Sequence, residues 1–169
     1  MTELYLVRHG ETVDNVNQIM QGQTQGELTA EGEAQARRLR LQLADIRFDA
    51  YVSSDLKRAV DTCKILAGER SGDIVCTPLL RERDWGGFTG RFIPDLKDEV
   101  WPADIESLEA LQERARSFLA FVAERFPSCR VLAVGHGIIN KAVQAVYHKK
   151  AMQEVPRMAN AEYRVLSLN

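Results

Sequence analysis

The stretch Leu4-Tyr5-Leu6-Val7-Arg8-His9-Gly10-Glu11 joins a short apolar run to a polar tetrapeptide that carries an arginine and a histidine. A second apolar run, Val131-Leu132-Ala133-Val134, is followed in the same way by Gly135-His136-Gly137. Short, continuous apolar runs are typical of buried strands in a parallel sheet. Because ligands bind at the carboxyl ends of such strands, we expect His9 and His136 to share one pocket.

Strand-like and helix-like patterns alternate along the rest of the chain. This alternation predicts an α/β fold, a three-layer α/β/α sandwich around a mostly parallel sheet, with the run at 131–134 near its centre. The predicted strands are 4–7, 50–53, 74–76, 131–134 and 163–168. The predicted helices extend from an N-cap at Thr29 to about Ala44, from a cap at Ser54 or Asp55 to Ala67, from Leu108 to Val122, and from just after Gly137 to His148, Lys149 and Lys150.

Two segments lack a regular period. Residues 10–27 are polar and rich in glycine and glutamine, which predicts a loop with a short helical turn over the site. Residues 84–104 contain glycines, aromatic residues and two prolines, which predicts an irregular cap that forms a short lid. Its aromatic side chains either line a substrate pocket or seal a small separate core; they are Phe88, Phe92 and Trp101.

The composition limits the classes of protein to consider. A length of 169 residues, with 45% apolar and 27% charged residues, predicts a single domain that spans residues 1–169. A net charge of -2 gives no reason to expect nucleic acid or an anionic membrane as a partner. No run approaches the roughly 18 apolar residues of a membrane span. Cys63, Cys76 and Cys129 lie among apolar residues, as reduced core thiols do, so we expect a cytoplasmic protein.

Cationic groups at the predicted strand ends favour chemistry on a phosphate. The planar guanidinium of Arg8 can hold two phosphate oxygens and stays charged at any working pH. Arg58 falls in the first turn of a predicted helix, at the same edge of the sheet. His136 precedes another helix, whose first free N–H groups, those of Gly137 and Ile138, would face an anion.

A nucleophile and an acid complete this hypothesis. A neutral imidazole has a free lone pair, so His9 can form a phosphoramidate, provided that an acceptor such as a backbone carbonyl near Gly10 fixes its tautomer. The alkoxide leaving group needs a proton, and Glu82 in Leu80-Arg81-Glu82 is the carboxylate of choice. A phosphate dianion bound beside this carboxylate would favour its protonated form.

Each of these residues also has a plainer interpretation. Arg8 and Arg58 could be surface or helix-capping arginines, and the two histidines could be hydrogen-bonded core residues. Together with Glu82 the histidines could instead bind a metal ion, although two nearby arginines would repel a cation. His148 is interpreted only as a residue at the end of a helix.

Ordered sequence blocks resemble the histidine phosphatase superfamily, the phosphoglycerate mutase-like proteins. Leu6-Val7-Arg8-His9-Gly10-Glu11-Thr12, with the nearby polar residues and Leu28-Thr29, is similar to the opening of that family. Three later blocks follow in the same order and extend over nearly the whole chain. They are Ser53-Ser54-Asp55-Leu56 with Arg58-Ala59 and Thr62, Leu80-Arg81-Glu82 with Gly86 and Gly90, and Gly135-His136-Gly137.

The resemblance implies roles for individual residues. It implies that His9 accepts the phosphoryl group, that Glu82 donates and then accepts a proton, and that neither a metal nor another cofactor is needed. It also implies that the phosphate is bound by Arg8, Arg58 and His136, and that further contacts come from Asn15 and Gln21-Gly22. Asn160-Ala161-Glu162 is faintly similar to another block near the site, although a plain turn would look the same.

The substrate class is left open at this stage. The lid segment from Gly90 to Ser107 is short compared with that of many family members, and Gln25 and Glu27 stand where members commonly have Asp and Pro. Mutases shield their phosphoenzyme, so a short lid favours hydrolysis by water. We expect a phosphatase that acts on a small phosphorylated metabolite. The alternatives are a protein phosphatase acting on phosphohistidine or another exposed side chain, a phosphoglycerate mutase, and a non-catalytic phosphate-binding module.

Overall fold

A five-stranded sheet forms the middle of the molecule, which a computed structural model describes for residues 1–169. The strand order is β3-β2-β4-β1-β5. Strands β1 to β4 run parallel, and β5 pairs with β1 in the antiparallel direction. The strands are β1 (Thr2–Arg8), β2 (Ala50–Ser54), β3 (Val75–Thr77), β4 (Arg130–Gly135) and β5 (Tyr163–Leu168).

Helices cover both faces of the sheet. They are α1 (Val13–Asn17), α2 (Ala30–Gln42), α3 (Lys57–Ala67), α4 (Leu108–Arg125) and α5 (Gly137–His148). On one face α4 and α5 pack against β1 and β4, and their core includes Leu6, Phe118 and Ala133. On the other face α2 and α3 enclose a second core that includes Leu39 and Val134. The predicted α/β sandwich is therefore confirmed.

The pattern of buried residues explains why β4 is the central strand. Val131, Leu132, Ala133 and Val134 are all buried, because consecutive side chains face opposite layers and both layers are covered by helices. The prediction of a central strand at 131–134 is confirmed. The α2 cap is also as predicted, since the N–H of Gly32 donates to Thr29 Oγ1 at 2.9 Å. None of the helices combines the length and apolar character required to cross a bilayer.

The start of α3 differs from the sequence-based expectation. Neither Ser54 nor Asp55 is the N-cap; that position belongs to Leu56, whose N–H donates to Ser54 Oγ. The next free N–H, that of Lys57, donates to the side chain of Gln25 at 3.0 Å. Gln25 lies more than thirty residues away in sequence, so this contact could not be inferred from local capping rules.

The cysteines and the lid aromatic residues are placed by their local packing. All three thiols are free, and only Cys63 is buried, while Cys129 is partly buried. Cys76 lies on the short edge strand β3, where its side chain is exposed. The expectation that Cys76 is a core thiol is therefore wrong. In the lid, Trp101 packs edge-on against Trp85 and Phe88 at 5.5 and 6.1 Å between ring centroids. Only Phe88 is buried, whereas Trp101 and Phe92 are 55% and 43% exposed, so these aromatic residues do not seal a separate core, and none of the three lines the cleft described below.

Candidate active site

The carboxyl ends of three neighbouring strands bring the predicted cationic and imidazole groups together. Arg8 ends β1 and His9 follows it, His136 follows β4, and Arg58 lies in the first turn of α3 after β2. Parallel pairing aligns Arg8 with Gly135, so the two histidines emerge side by side. Their ring centroids are 5.1 Å apart, and both rings are buried. The two imidazoles therefore lie side by side, although only His9 lines the cleft described below.

The ring of His9 is held in one orientation by its own loop. Its Nδ1 lies 2.7 Å from the carbonyl oxygen of Gly10, and because a carbonyl only accepts, Nδ1 carries the proton. The other ring nitrogen, Nε2, therefore keeps its lone pair. Burial, followed by the positive charge of Arg58, lowers the pKa of His9 from 6.5 to about 3. The imidazole is accordingly neutral at physiological pH.

Both arginines are fixed by backbone carbonyls rather than by carboxylates. The Nη atoms of Arg58 donate to the carbonyl of Gly22, at 2.7 Å, and to that of Thr24. Arg8 donates from Nη1 to the carbonyl of Met158 at 2.7 Å. In each case the buried Nε–H has no partner within the protein. Burial lowers the pKa of Arg58 to about 10, so this residue is still a cation at neutral pH.

His136 is fully buried beside His9. Its Nε2 is 2.8 Å from Ser54 Oγ, while its buried Nδ1 has no partner. Ser54 Oγ accepts the N–H of Leu56, and we assign its own proton as the donor to His136 Nε2. This assignment makes Nδ1 a donor. Burial, and then the positive charge of Arg58, lower the pKa of His136 well below its ordinary value.

The carboxylate of Glu82 lies across the N-terminus of α5. It accepts the N–H groups of Ile138 and Ile139 at 3.0 and 2.9 Å and that of Arg83 at 2.8 Å. The expectation that the Ile138 N–H faces a bound anion is therefore wrong, because the anion at this helix end is Glu82 itself. Unpaired N–H groups at a helix N-terminus attract a negative charge, and a carboxylate from the same chain provides it.

These groups surround a cleft of about 350 Å³. The cleft is lined by nine of the ten predicted site residues, and the tenth, His136, is fully buried behind the wall. The lining residues that had been predicted are Arg8, His9, Asn15, Gln21, Gly22, Arg58, Glu82, Gly137 and Ile138. Within the chain, no three His, Cys, Asp or Glu side chains lie close enough together to hold a metal ion.

Asn15 and Gln21 also support the loop over the cleft. The side-chain oxygen of Asn15 accepts the N–H of Thr12 at 3.0 Å, and the Thr12 hydroxyl donates to Gln21 Oε1 at 3.1 Å. Asn160 donates to the backbone carbonyl of His9 at 3.1 Å and lies within reach of the Asn15 side chain. The segment 160–162 is a turn, and its Asn160 contacts the loop that carries His9.

Sequence reasoning missed six residues of the cleft wall. Lys141 had a usable signal, because it lies four residues after Gly137 and so faces the same side of α5. Arg157 had none, since it lies in an irregular segment between α5 and β5. The complete set is Ile19, Met20, Trp85, Ile93, Lys141 and Arg157.

Comparison with known proteins agrees with this geometry. The histidine phosphatase superfamily (branch 1) matches residues 4–169. The chain belongs to this superfamily. It is 36% identical over 152 residues to the probable phosphoglycerate mutase GpmB of Enterobacter sp. (strain 638), covering 82% of this chain and 71% of the relative. It is 38% identical over 141 residues to the uncharacterized phosphatase PhoE of Bacillus subtilis (strain 168), covering 81% and 72%.

Among solved structures, the chain is similar to a mycobacterial glucosyl-3-phosphoglycerate phosphatase in complex with VO3. The TM-score is 0.88 at 28% identity, over 98% of this chain and 92% of the other. The family resemblance noted in the sequence is thus confirmed. The relatives include both phosphatases and mutases, so family membership alone does not choose between the two reactions.

Proposed function

We propose that this protein is a phosphatase that hydrolyses a small phosphomonoester through a phosphohistidine on His9. One observation carries the proposal. Of the four buried side-chain polar atoms without a partner, three belong to the site: Arg8 Nε, Arg58 Nε and His136 Nδ1. Unpaired buried donors are costly unless a ligand satisfies them, and a phosphate dianion offers an acceptor to each.

The first step transfers the phosphoryl group to the protein. The arginines and His136 bind the phosphate oxygens and spread the charge that develops on them. Nε2 of His9 attacks phosphorus with its lone pair, which forms a P–N bond as the P–O bond to the alcohol breaks. Glu82 takes up a proton when the phosphate dianion binds beside it, and it transfers this proton to the departing alkoxide, so the alcohol leaves neutral.

The second step returns the protein to its starting state. Glu82, now a carboxylate, takes a proton from a water molecule as that water attacks the phosphorus atom. The P–N bond breaks, its electron pair returns to Nε2 of His9, and inorganic phosphate leaves. His9 is then neutral again, and Glu82 loses its proton as the phosphate dianion leaves, which restores the carboxylate.

The short lid over the cleft favours hydrolysis over mutase activity. The lid contributes two brief 3-10 turns, Gly86–Phe88 and Ile93–Leu96, and no longer helix. A mutase must exclude water while its substrate reorients in the cleft, which requires a lid that encloses the cleft more completely. A cleft of about 350 Å³ is in the size range of small-molecule sites, which favours a metabolite over a protein substrate.

The test is turnover of an aryl phosphate in the presence of a chelator. We expect the wild-type protein to release phosphate at an undiminished rate, and we expect the His9→Gln variant to lose activity by at least about a thousandfold. His148→Gln, which replaces an exposed histidine at the end of α5, is the matched control. Strong inhibition by the chelator, or full activity of His9→Gln, would contradict the proposal.

A further inference from the structure

The carbonyl that orients His9 belongs to a peptide group whose other end is also hydrogen-bonded. Nδ1–H of His9 donates to the carbonyl oxygen of Gly10 at 2.7 Å. The N–H of the same peptide group, that of Glu11, donates to the side-chain oxygen of Gln35 at 2.9 Å. This peptide bond is trans, so its C=O and N–H point in opposite directions. A continuous chain of hydrogen bonds therefore runs from the imidazole through one peptide group to Gln35.

Gln35 itself lies outside the cleft. It is a half-buried residue of α2, and the residues that line the cleft do not include it. Gln35 therefore cannot touch a substrate held against His9. Any influence on the reaction has to pass through the N–H of Glu11 and the carbonyl of Gly10.

The peptide groups on either side are held by other residues. Thr62 Oγ1 accepts the N–H of Gly10 at 3.1 Å, and the N–H of Thr29 donates to the carbonyl of Glu11 at 3.0 Å. The peptide group between them can still flip by opposite rotations about the two bonds that flank it. Gly10 has no Cβ, which lowers the steric cost of that rotation. Gln35 is the side chain that opposes the flip.

The chain of hydrogen bonds strengthens as the phosphoryl group is transferred. When Nε2 of His9 attacks phosphorus, its lone pair enters the P–N bond while the proton stays on Nδ1, so the ring gains positive charge. Burial, and then the positive charge of Arg58, lower the pKa of His9 and disfavour a cationic ring, whereas the hydrogen bond to the Gly10 carbonyl raises the pKa. A peptide group polarised by this charge donates more strongly from its N–H. The oxygen of Gln35 therefore accepts a stronger hydrogen bond in the transition state than before the reaction.

We propose that Gln35 is a positioning residue for phosphoryl transfer, which holds the Gly10–Glu11 peptide group so that its carbonyl keeps the proton of His9 on Nδ1 and stabilises the charge that develops on the ring. This inference rests on the proposed phosphatase activity. In a Ser-His-Asp triad a carboxylate performs both tasks by direct contact with the imidazole. Here a neutral side chain performs them through a peptide group. A flipped peptide would present its N–H to Nδ1, which favours the tautomer that has no lone pair on Nε2.

Substitutions at Gln35 test the proposal through the rate of phosphoryl transfer. Gln35→Met is similar in size but offers no oxygen, and we expect it to lower kcat/KM for an aryl phosphate by about tenfold. The inhibition constant of inorganic phosphate should stay within about twofold of the wild type, because Gln35 does not touch the bound anion. Gln35→Glu keeps an acceptor oxygen and should retain most of the activity. Gln42→Met, at the exposed end of α2, is the matched control.

The tautomer of His9 is measured separately, by nitrogen NMR of the imidazole rings at neutral pH. The chain has three histidines, so the signals of His9 are those missing from the spectrum of His9→Gln. We expect a protonated Nδ1 and an unprotonated Nε2 in the wild type, in Gln35→Glu and in Gln42→Met. In Gln35→Met the proton should be shared between the two nitrogens. Circular dichroism shows whether each variant is folded.

The two measurements together decide the outcome. Unchanged kcat/KM and an unchanged tautomer in Gln35→Met would overturn the proposal. An equal loss of activity in Gln35→Met and Gln35→Glu, with the proton still on Nδ1 in both, would also overturn it, because that pattern indicates a purely structural role. If the wild type fails to hydrolyse the aryl phosphate, the proposed phosphatase activity fails, whereas a change of tautomer in Gln35→Met would still show that Gln35 orients His9.

Discussion

Two regions of the cleft are built by different means. The site floor, which we define as Arg8, His9, Arg58 and His136, lies at the ends of paired strands, and its side chains are at most 8% exposed. The site rim, defined as residues 84–104 and 151–162, is made of turns and short 3-10 segments. The floor is fixed by the core of the domain, whereas the rim is free to vary. This difference suggests that the floor determines the reaction and the rim selects the substrate.

The two regions are held by different interactions. Close packing fixes the floor: a Cβ added at Gly10 would lie 2.4 Å from the carbonyl oxygen of Gly32, so the loop after His9 admits no larger residue. The rim depends on polar and aromatic contacts. There, the guanidinium of Arg83 lies 4.7 and 5.4 Å from the ring centroids of Trp85 and Trp101.

The largest effect on kcat is expected at Glu82, which lies between the site floor and the site rim. A variant of this residue tests whether the chemistry can be separated from the selection of the substrate. The Glu82→Gln variant cannot donate a proton from a carboxylic acid, so kcat for an alkyl phosphate should fall by about a hundredfold or more. An aryl phosphate with a good leaving group needs less help and should lose less. Steady-state kinetics over a series of leaving groups measures the difference. Glu99→Gln, on an exposed carboxylate of the rim, is the control.

An equal loss for good and poor leaving groups in Glu82→Gln would show that this residue is not the acid. The rim would then have to supply the proton from another group, and the division between floor and rim would not hold.

A smaller effect is expected at Arg114 of α4, which holds the segment that carries Glu82. Arg114 donates to the carbonyl of Glu82 at 3.3 Å, to that of Leu79 at 3.1 Å, and to the carboxylate of Glu106 at 2.8 Å. It is a positioning residue, because it acts through Glu82. We expect Arg114→Met to lower kcat for alkyl phosphates by about tenfold, with the same leaving-group pattern as Glu82→Gln but weaker.

The matched control is Arg116→Met, on the same helix but exposed and paired only with Glu113. Partial recovery in Arg114→Lys would support positioning. A loss in Arg114→Met that is the same for every leaving group, together with a lower stability, would instead indicate a purely structural role.

The smallest effect is on the free energy of unfolding, and it follows from the burial of His9 in the site floor. Because the pKa of His9 is about 3 in the folded protein and 6.5 in the unfolded chain, the unfolded chain binds more protons below pH 6.5. The free energy of unfolding therefore falls as the pH falls through this window. We expect His9 to contribute a loss of about 1.5 kcal/mol between about pH 6.5 and 5. Urea unfolding at several pH values measures this slope.

In that experiment His9→Gln should show a flatter dependence on pH than the wild type. The variant His148→Gln, in which an exposed histidine is replaced, should follow the wild type. A slope in His9→Gln as steep as that of the wild type would contradict the burial of a neutral imidazole in the floor.

The contrast between floor and rim also explains what the sequence could reveal. Arg8, His9 and His136 were predictable because apolar runs mark the strands and the residues that follow them share one edge of the sheet. A backbone carbonyl in the loop that begins at Gly10 was expected to orient His9, and the structure identifies it as that of Gly10 itself.

Contacts between distant segments were not predictable. Two of the three N–H groups that bind the Glu82 carboxylate belong to a helix more than fifty residues later, and no local pattern indicates that pairing. Arg157 was missed because its segment has no periodicity to interpret. The exposure of Cys76 depends on β3 lying at the edge of the sheet, which the strand order decides and the apolar run does not.

The most direct test of the central claim is to trap the covalent intermediate. Rapid acid-free quenching during turnover, followed by digestion and mass spectrometry under alkaline conditions, would locate a phosphoryl group. We predict one such group, labile to acid and stable to base, on the peptide that contains His9, and none in His9→Gln. Turnover without any phosphopeptide, or a phosphoryl group on a different residue, would contradict the account.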